Sequence, residues 1–436
     1  MTIRTLSSIF FGSFFLFVLT QCQDKKIPLT GQRHCLLEVE NNLEKDPEAD
    51  NFTVFLSNPR SITEWGQMGG NKAHSMSPAL LNDGERKILW SESIGSGTSR
   101  DRFLLAGPVA SGTTIYTIDT EGRVQARDVK TGKLQWSFAS QPKEKDKKPY
   151  HPGGGVAVKG DKLFVASPYN ELIALEKDSG YEIWRSTLAF PARSAPAVDR
   201  ERVYVTTMNN RTLSFDGITG TVIWQHEGAA DTTSLIGGAS PAVYARVVFV
   251  PYSTGELFAL KAENGHFLWS ETLSSLRTLS STSSVSQVRA RPLVYKGMVI
   301  ALAQGDRMMA IDFRTGRRLW DKEIGGIRTP VVTDEFIFAL TNHQKMVCLL
   351  RETGQIVWVK DLKDKDPSKN LRWGGPVLAG NSIVLGGTNG QIAFLNPENG
   401  DTTKTVSVSD PVALSPIVLD GILYVLTERG RLVAIQ

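Results

Sequence analysis

The sequence predicts an all-β fold: an eight-bladed β-propeller of four-stranded blades, closed by an N-terminal strand that completes the last blade. Three observations predict it. The first is a repeated phrase, a turn dipeptide, three residues and a tryptophan. It reads Thr131-Gly132 with Trp136, Ser179-Gly180 with Trp184, Thr219-Gly220 with Trp224, Asn264-Gly265 with Trp269, Thr315-Gly316 with Trp320 and Thr353-Gly354 with Trp358. The second is the spacing. From Trp90 to Trp358 these tryptophans lie 38 to 51 residues apart, the length one four-stranded blade needs. The third is a pair of complementary fragments. The last unit stops after two strands beyond its opening one, while Lys87-Ile88-Leu89-Trp90 stands ahead of any complete unit. Pairing the two closes a ring and leaves no exposed sheet edge.

The elements follow in chain order. Arg4 precedes an apolar run, Ile9 to Leu19, with five phenylalanines. It is too short to span a bilayer comfortably and suits a signal-peptide core. Leu19-Thr20-Gln21-Cys22 resembles the bacterial lipobox, with Gln21 where a small residue is usual. The resemblance implies a signal peptide over residues 1–21 and lipidation of Cys22. Residues 22–82 form a lipid-anchored tether and lead-in, polar from Gln23 to about Ser57. Such composition fits a flexible connection.

Residues 83–436 make the propeller. In the first unit, Pro108 to Ala110, Thr114 to Ile118, Arg123 to Val129 and Lys133 to Phe138 alternate apolar residues between Gly and Asp turns, the pattern of strands. Seven opening strands carry a proline: Pro108, Pro196, Pro241, Pro292, Pro330, Pro376 and Pro416. Lacking an N–H, proline suits the start of a strand. The second unit opens on Gly155-Val156 instead. The seventh turn, Asn399-Gly400, is followed by Lys404 in the tryptophan slot.

Composition excludes some functions. A formal charge of +4, scattered along the chain, is no nucleic-acid footprint. The lysine-rich stretches 143–148 and 360–369 also contain acidic residues and read as solvated loops. Cys348 occupies a slot held elsewhere by Ala126, Ala174, Ser214, Ala259 and Ala310, so it reads as a small buried residue; Cys35 has no obvious partner. The six histidines show no paired-ligand spacing, and no phosphate loop or nucleophile elbow is present. Asp119, Asp128, Glu176, Asp216 and Asp312 lie beside the turns, where they can accept turn N–H groups. No catalytic residue, metal site or cofactor is expected.

The repeat of a small residue, a polar residue and T-G-x-x-x-W resembles the pyrroloquinoline-quinone-type propeller repeat from about Lys87 to Gln436. One branch with this repeat is the quinoprotein dehydrogenases, whose site adds adjacent cysteines and calcium ligands; this chain has no neighbouring cysteines. The other is the BamB family of outer-membrane β-barrel assembly lipoproteins. That resemblance extends to the signal peptide, Cys22, the tether and the near absence of insertions. Trp65-Gly66-Gln67-Met68-Gly69-Gly70-Asn71 with His74, and Val250 to Leu257, look like segments of α-proteobacterial members. The resemblance implies a non-catalytic scaffold on the periplasmic face of the outer membrane. Its implied partners are the BamA POTRA domains and the other assembly-complex lipoproteins.

The resemblance also implies a contact surface, built by loops entering the opening strands of two successive middle blades. The matching positions here are Leu235 and Ile236 before Pro241, and Gln287 and Arg289 before Pro292. Only Leu235 matches the family pattern, so the electrostatics of such a surface must differ. Two alternatives stay open. A periplasmic glycan-binding or sensor propeller would use exposed loop aromatics such as Tyr150, Tyr169 and Trp373. A quinoprotein dehydrogenase would need carboxylates and metal ligands converging on the ring axis.

Overall fold

The computed structural model describes residues 43–49, 52–82, 84–141, 153–230, 236–273, 287–364, 366 and 370–436. Cys22, Cys35, Tyr150 and Leu235 lie outside them. Among the described residues every regular element except the single turn Pro47–Ala49 is a strand, and eight sheets of four or five strands result. Blade 1 comprises Val109–Ser111, Thr114–Ile118, Arg123–Asp128 and Leu134–Ala139, joined antiparallel in that order. Blade 8 comprises Ile417–Leu419, Ile422–Leu426 and Arg431–Ile435, and its outer strand is Ile88–Ser93. Ile88 faces Ile435 and Trp90 faces Ala434. The ring is closed by the strand the end fragments predict.

The repeated phrase works as a joint between blades. In blade 3, Trp224 on the outer strand Val222–Glu227 sits opposite Ser214. The same cross-strand pairing joins Trp136 to Ala126, Trp184 to Ala174, Trp269 to Ala259, Trp320 to Ala310 and Trp358 to Cys348. Only a small residue leaves room for an indole lying flat across the strand, which is why Cys348 is fully buried and its thiol pushed up by desolvation. Each indole then reaches the next blade. Trp224 Nε1 donates to the Ala262 carbonyl at 3.0 Å. Its ring covers Gly265, which has φ of 72° and where a Cβ would stand 2.7 Å from Trp224 Cε3. Glycine is therefore required twice over, by conformation and by contact. The acidic residues before the turns hold them in shape: Asp216 accepts from the Ile218 and Thr219 N–H groups at 2.9 and 2.8 Å, and Asp128 and Asp312 do the same in their blades.

Seven joints of this kind run from blade 8 to blade 7, through Trp90, Trp136, Trp184, Trp224, Trp269, Trp320 and Trp358. The eighth, from blade 7 to blade 8, is different. The outer strand of blade 8, Ile88–Ser93, is not joined by a turn to its neighbour Arg431–Ile435, so among the described residues no turn glycine of that kind faces blade 7. Lys404 stands in the tryptophan slot, and its cross-strand partner is the bulky Phe394. The Arg86 guanidinium lies 5.8 Å from the centre of the Phe394 ring and donates to the Asn82 carbonyl. A cation on an aromatic face replaces the indole on glycine.

Proline lies just before the opening strand in six blades, as predicted. In blade 7, Pro376 falls inside Trp373–Ala379, at a register shift between Gly374 and Val377. A bulge frees a strand position from the ladder and so tolerates a residue without an N–H.

The lead-in departs most from the expected tether. Glu64–Trp65 adds a fifth strand to blade 1. Beyond it the Gly66 carbonyl accepts from Val158 N, Gln67 exchanges two hydrogen bonds with Val198, and the Lys72 and Ala73 carbonyls accept from Val243 and Val294. Ala79 then bonds with Leu378 and Gly380, and Asn82 with Gly421. One strap thus bonds the opening strands of blades 1, 2, 3, 4 and 5 in turn, then the inner parts of blades 7 and 8. Earlier still, the Asp46 carboxylate accepts from Lys322 Nζ and Ile356 N, and Ala49 and Val54 are buried. From Leu43 onward the polar stretch is laid on the ring. Its polar groups serve as main-chain and side-chain partners, and composition alone does not separate that use from solvation.

Candidate partner surface and axial site

Opening strands of neighbouring blades touch one another and line the ring axis, so the loops that precede them surround one mouth. Two candidate contact residues meet there. Arg289 Nη2 donates to the Ile236 carbonyl at 3.1 Å, and the Ile236 side chain is 42% exposed. Gln287 behaves otherwise. It is 1% exposed and its carbonyl accepts from Gln304 N at 3.0 Å, so it supports the loop and offers a partner no surface. The resemblance names Gln287 as a contact position, and its burial speaks against that role.

Arg289 has company that was not anticipated. Arg291 and Arg328 line the same axial cavity, of about 110 Å³. Its floor is Trp65, Met68 and Gly69 of the strap, and Leu414 and Ser415 contribute from blade 8. Burial first, then the charge of Arg328, draws the Arg291 guanidinium down to about 10, and burial first, then the charges of Arg289 and Arg372, does the same to Arg328. They remain cationic near neutral pH. Burial likewise lowers Arg289. A signal was available in the sequence: these arginines all fall within three residues before an opening proline, Pro292 or Pro330. They are dispersed along the chain, so they look like isolated charges until the ring brings the loops together.

His74 packs beside this cluster. It donates from Nδ1 to the Pro292 carbonyl at 2.8 Å. Burial first, and the Arg291 charge second, hold its imidazole down at about 3. The aromatics considered for a sugar platform are not platforms: Tyr169 is 4% and Trp373 8% exposed, and each donates to a backbone carbonyl, of Glu121 and Leu362 respectively. Among the described residues no group of three or more His, Cys, Asp or Glu side chains is placed to hold a metal.

The sequence model of the family described as outer membrane protein assembly factor BamB matches residues 120–360 and 351–436. The chain belongs to the BamB family. A relative named outer membrane protein assembly factor BamB, from Yersinia pestis, is 27% identical over 82% of this chain and 90% of its own length. The crystal structure of BamB from Moraxella catarrhalis superposes with a TM-score of 0.69 at 18% identity, covering 80% of this chain and 99% of that one. A europium-containing methanol dehydrogenase superposes with a TM-score of 0.65 at 16% identity, over 84% of this chain and 89% of that one. At such identities these structures establish the shared ring and nothing about chemistry. The BamB-like family and the propeller expected from the repeats are both borne out.

Proposed function

We propose that this BamB-family chain is a non-catalytic, lipid-anchored scaffold of the outer-membrane β-barrel assembly complex. It would act on the periplasmic face of the outer membrane, binding BamA POTRA domains alongside the other assembly lipoproteins and assisting insertion of outer-membrane proteins. The observation that carries the reading is coverage. The Yersinia pestis assembly factor matches over nine-tenths of its own length and 82% of this chain. The proposed contact is the mouth where Ile236 and Arg289 meet, with Leu235 as its apolar anchor and Cys22 as the lipid site.

Purification from solubilised outer membranes, followed by mass spectrometry, is expected to recover BamA. Leu235→Asp should leave circular dichroism unchanged and weaken binding to isolated POTRA domains roughly 30-fold, since losing one central anchor costs about 2 kcal/mol. A folded variant with full affinity would remove this loop from the contact. Labelling with a clickable fatty acid should mark the wild type and spare Cys22→Ser; equal labelling of both rejects the anchor.

A further inference from the structure

We infer that the ring axis holds a binding site for one small tetrahedral oxyanion, phosphate or a phosphate-like group, gripped by Arg289, Arg291 and Arg328. The inference does not depend on the assembly reading. Three observations carry it together. The cavity walls bring three guanidinium groups from two successive loops, and no residue of that lining is acidic. Among the described residues, Glu428 opposes the charge of Arg328, while Arg289 and Arg372 add to it. Like charges held together in a confined space call for a counter-charge.

The second observation is an enclosed donor. Arg291 Nε is buried without an acceptor, where a protein atom would normally supply one. Arg193, three residues before Pro196 as Arg289 is before Pro292, donates from Nη1 to Asn210 Oδ1 at 3.5 Å and does not line the cavity. The third is the floor. Gly69, with φ of 85°, passes so close that a Cβ there would stand 3.2 Å from Arg291 Nε. A side chain at Gly237, with φ of 81°, would come 3.5 Å from Arg289 Nη2. Both keep a small polar space open beside the guanidinium forks.

Size selects the ligand. A space of about 110 Å³ admits a single phosphate or sulfate but falls below the roughly 300 Å³ where sites for drug-sized cofactors begin. Planar guanidinium forks match the oxygens of such an anion in pairs. The anion could arrive free or as the terminal group of a phosphomonoester, and the experiment separates the two.

Thermal melting of the mature chain is measured against inorganic phosphate, glycerol phosphate and sodium chloride at matched ionic strength. Phosphate should give a saturable rise in Tm, as one-site linkage requires, and chloride none. An equal rise with glycerol phosphate assigns the site to esterified groups as well; a rise with phosphate alone restricts it to the free anion. Arg328→Gln should move half-saturation to at least about tenfold higher phosphate, the loss of one charge-assisted hydrogen bond. Without phosphate it should melt no lower than the wild type, because it relieves repulsion. Arg289→Gln, at the cavity rim, serves as a second variant and should show the same shift. Equal responses to phosphate and chloride overturn the inference. So does a wild-type phosphate response in both variants.

Discussion

The seam between blades 3 and 4 and the seam between blades 7 and 8 solve one problem with different parts. At the first, Trp224 lies over Gly265 and donates to the Ala262 carbonyl. At the second, Lys404 faces Phe394, and Arg86 covers that ring from the lead-in. The difference teaches that the tryptophan is not needed for the blade that carries it. It is needed for the turn of the following blade, and where that turn is missing the indole is missing too. The small residue opposite is then released to become phenylalanine. A substitution that looks like decay of the repeat is a matched pair of changes.

The largest test of this contrast removes the closing strand. A chain beginning at residue 95 lacks Ile88–Ser93 and the whole strap, leaving Arg431–Ile435 with an open edge. Loss of a cooperative melting transition, or aggregation, is expected by circular dichroism and light scattering, against a stable chain that begins at Gln23. Equal melting of the two would mean that the closing strand contributes nothing. Next comes Trp224→Ala, a regular seam, expected to cost about 3–5 kcal/mol in denaturant unfolding, as for other buried aromatic truncations. A loss under 1 kcal/mol would show that the joint is held by something other than the indole.

Acid should strike the strap before the regular seams. His74 is held neutral at about 3 by burial and by Arg291, while in the unfolded chain it takes a proton near the ordinary histidine value. Its contribution is therefore complete above about pH 6.5 and lost as pH falls from there toward 3. The slope is at most about 1.4 kcal/mol per pH unit. Comparing wild type with His74→Gln across pH 7 to 4 should show the steeper decline in the wild type; parallel curves would exclude His74 as its source. The smallest effect is at the closing seam itself. Arg86→Ala should cost about 0.5–1 kcal/mol, the range of an exposed cation–π contact, and Lys404→Trp should give no gain, for want of a glycine turn to cover. A stabilising Lys404→Trp would break the comparison.

How much of this was legible depends on what each feature is made of. The joints are side-chain features at fixed positions in a repeat, so Trp136, Ala126 and Gly180 declare themselves from spacing. The closing strand was legible because a fragment with Trp90 at one end fits a deficit at the other. The strap was hidden because it binds chiefly through backbone carbonyls, as Gly66, Lys72 and Ala73 do, and backbone groups are the same in every residue. The axial arginines were hidden by distance along the chain: Arg291 and Arg328 become neighbours only when blades 5 and 6 pack together. Gln287 was named by matching position to the family's contact loops, which carries no information on burial, and in this ring it is enclosed.

Ile88 pairs with Ile435, so closing the ring joins strands that lie about 350 residues apart in the sequence. Closing a loop of about 350 residues costs about 5 kcal/mol in chain entropy before any contact offsets it, and pairings so remote in sequence form late. During synthesis the Ile88 strand has nothing to join until Arg431–Ile435 has emerged. A chain that lacks Arg431–Ile435 therefore keeps the Ile88 strand unpaired, and an unpaired edge is a template for association with other chains.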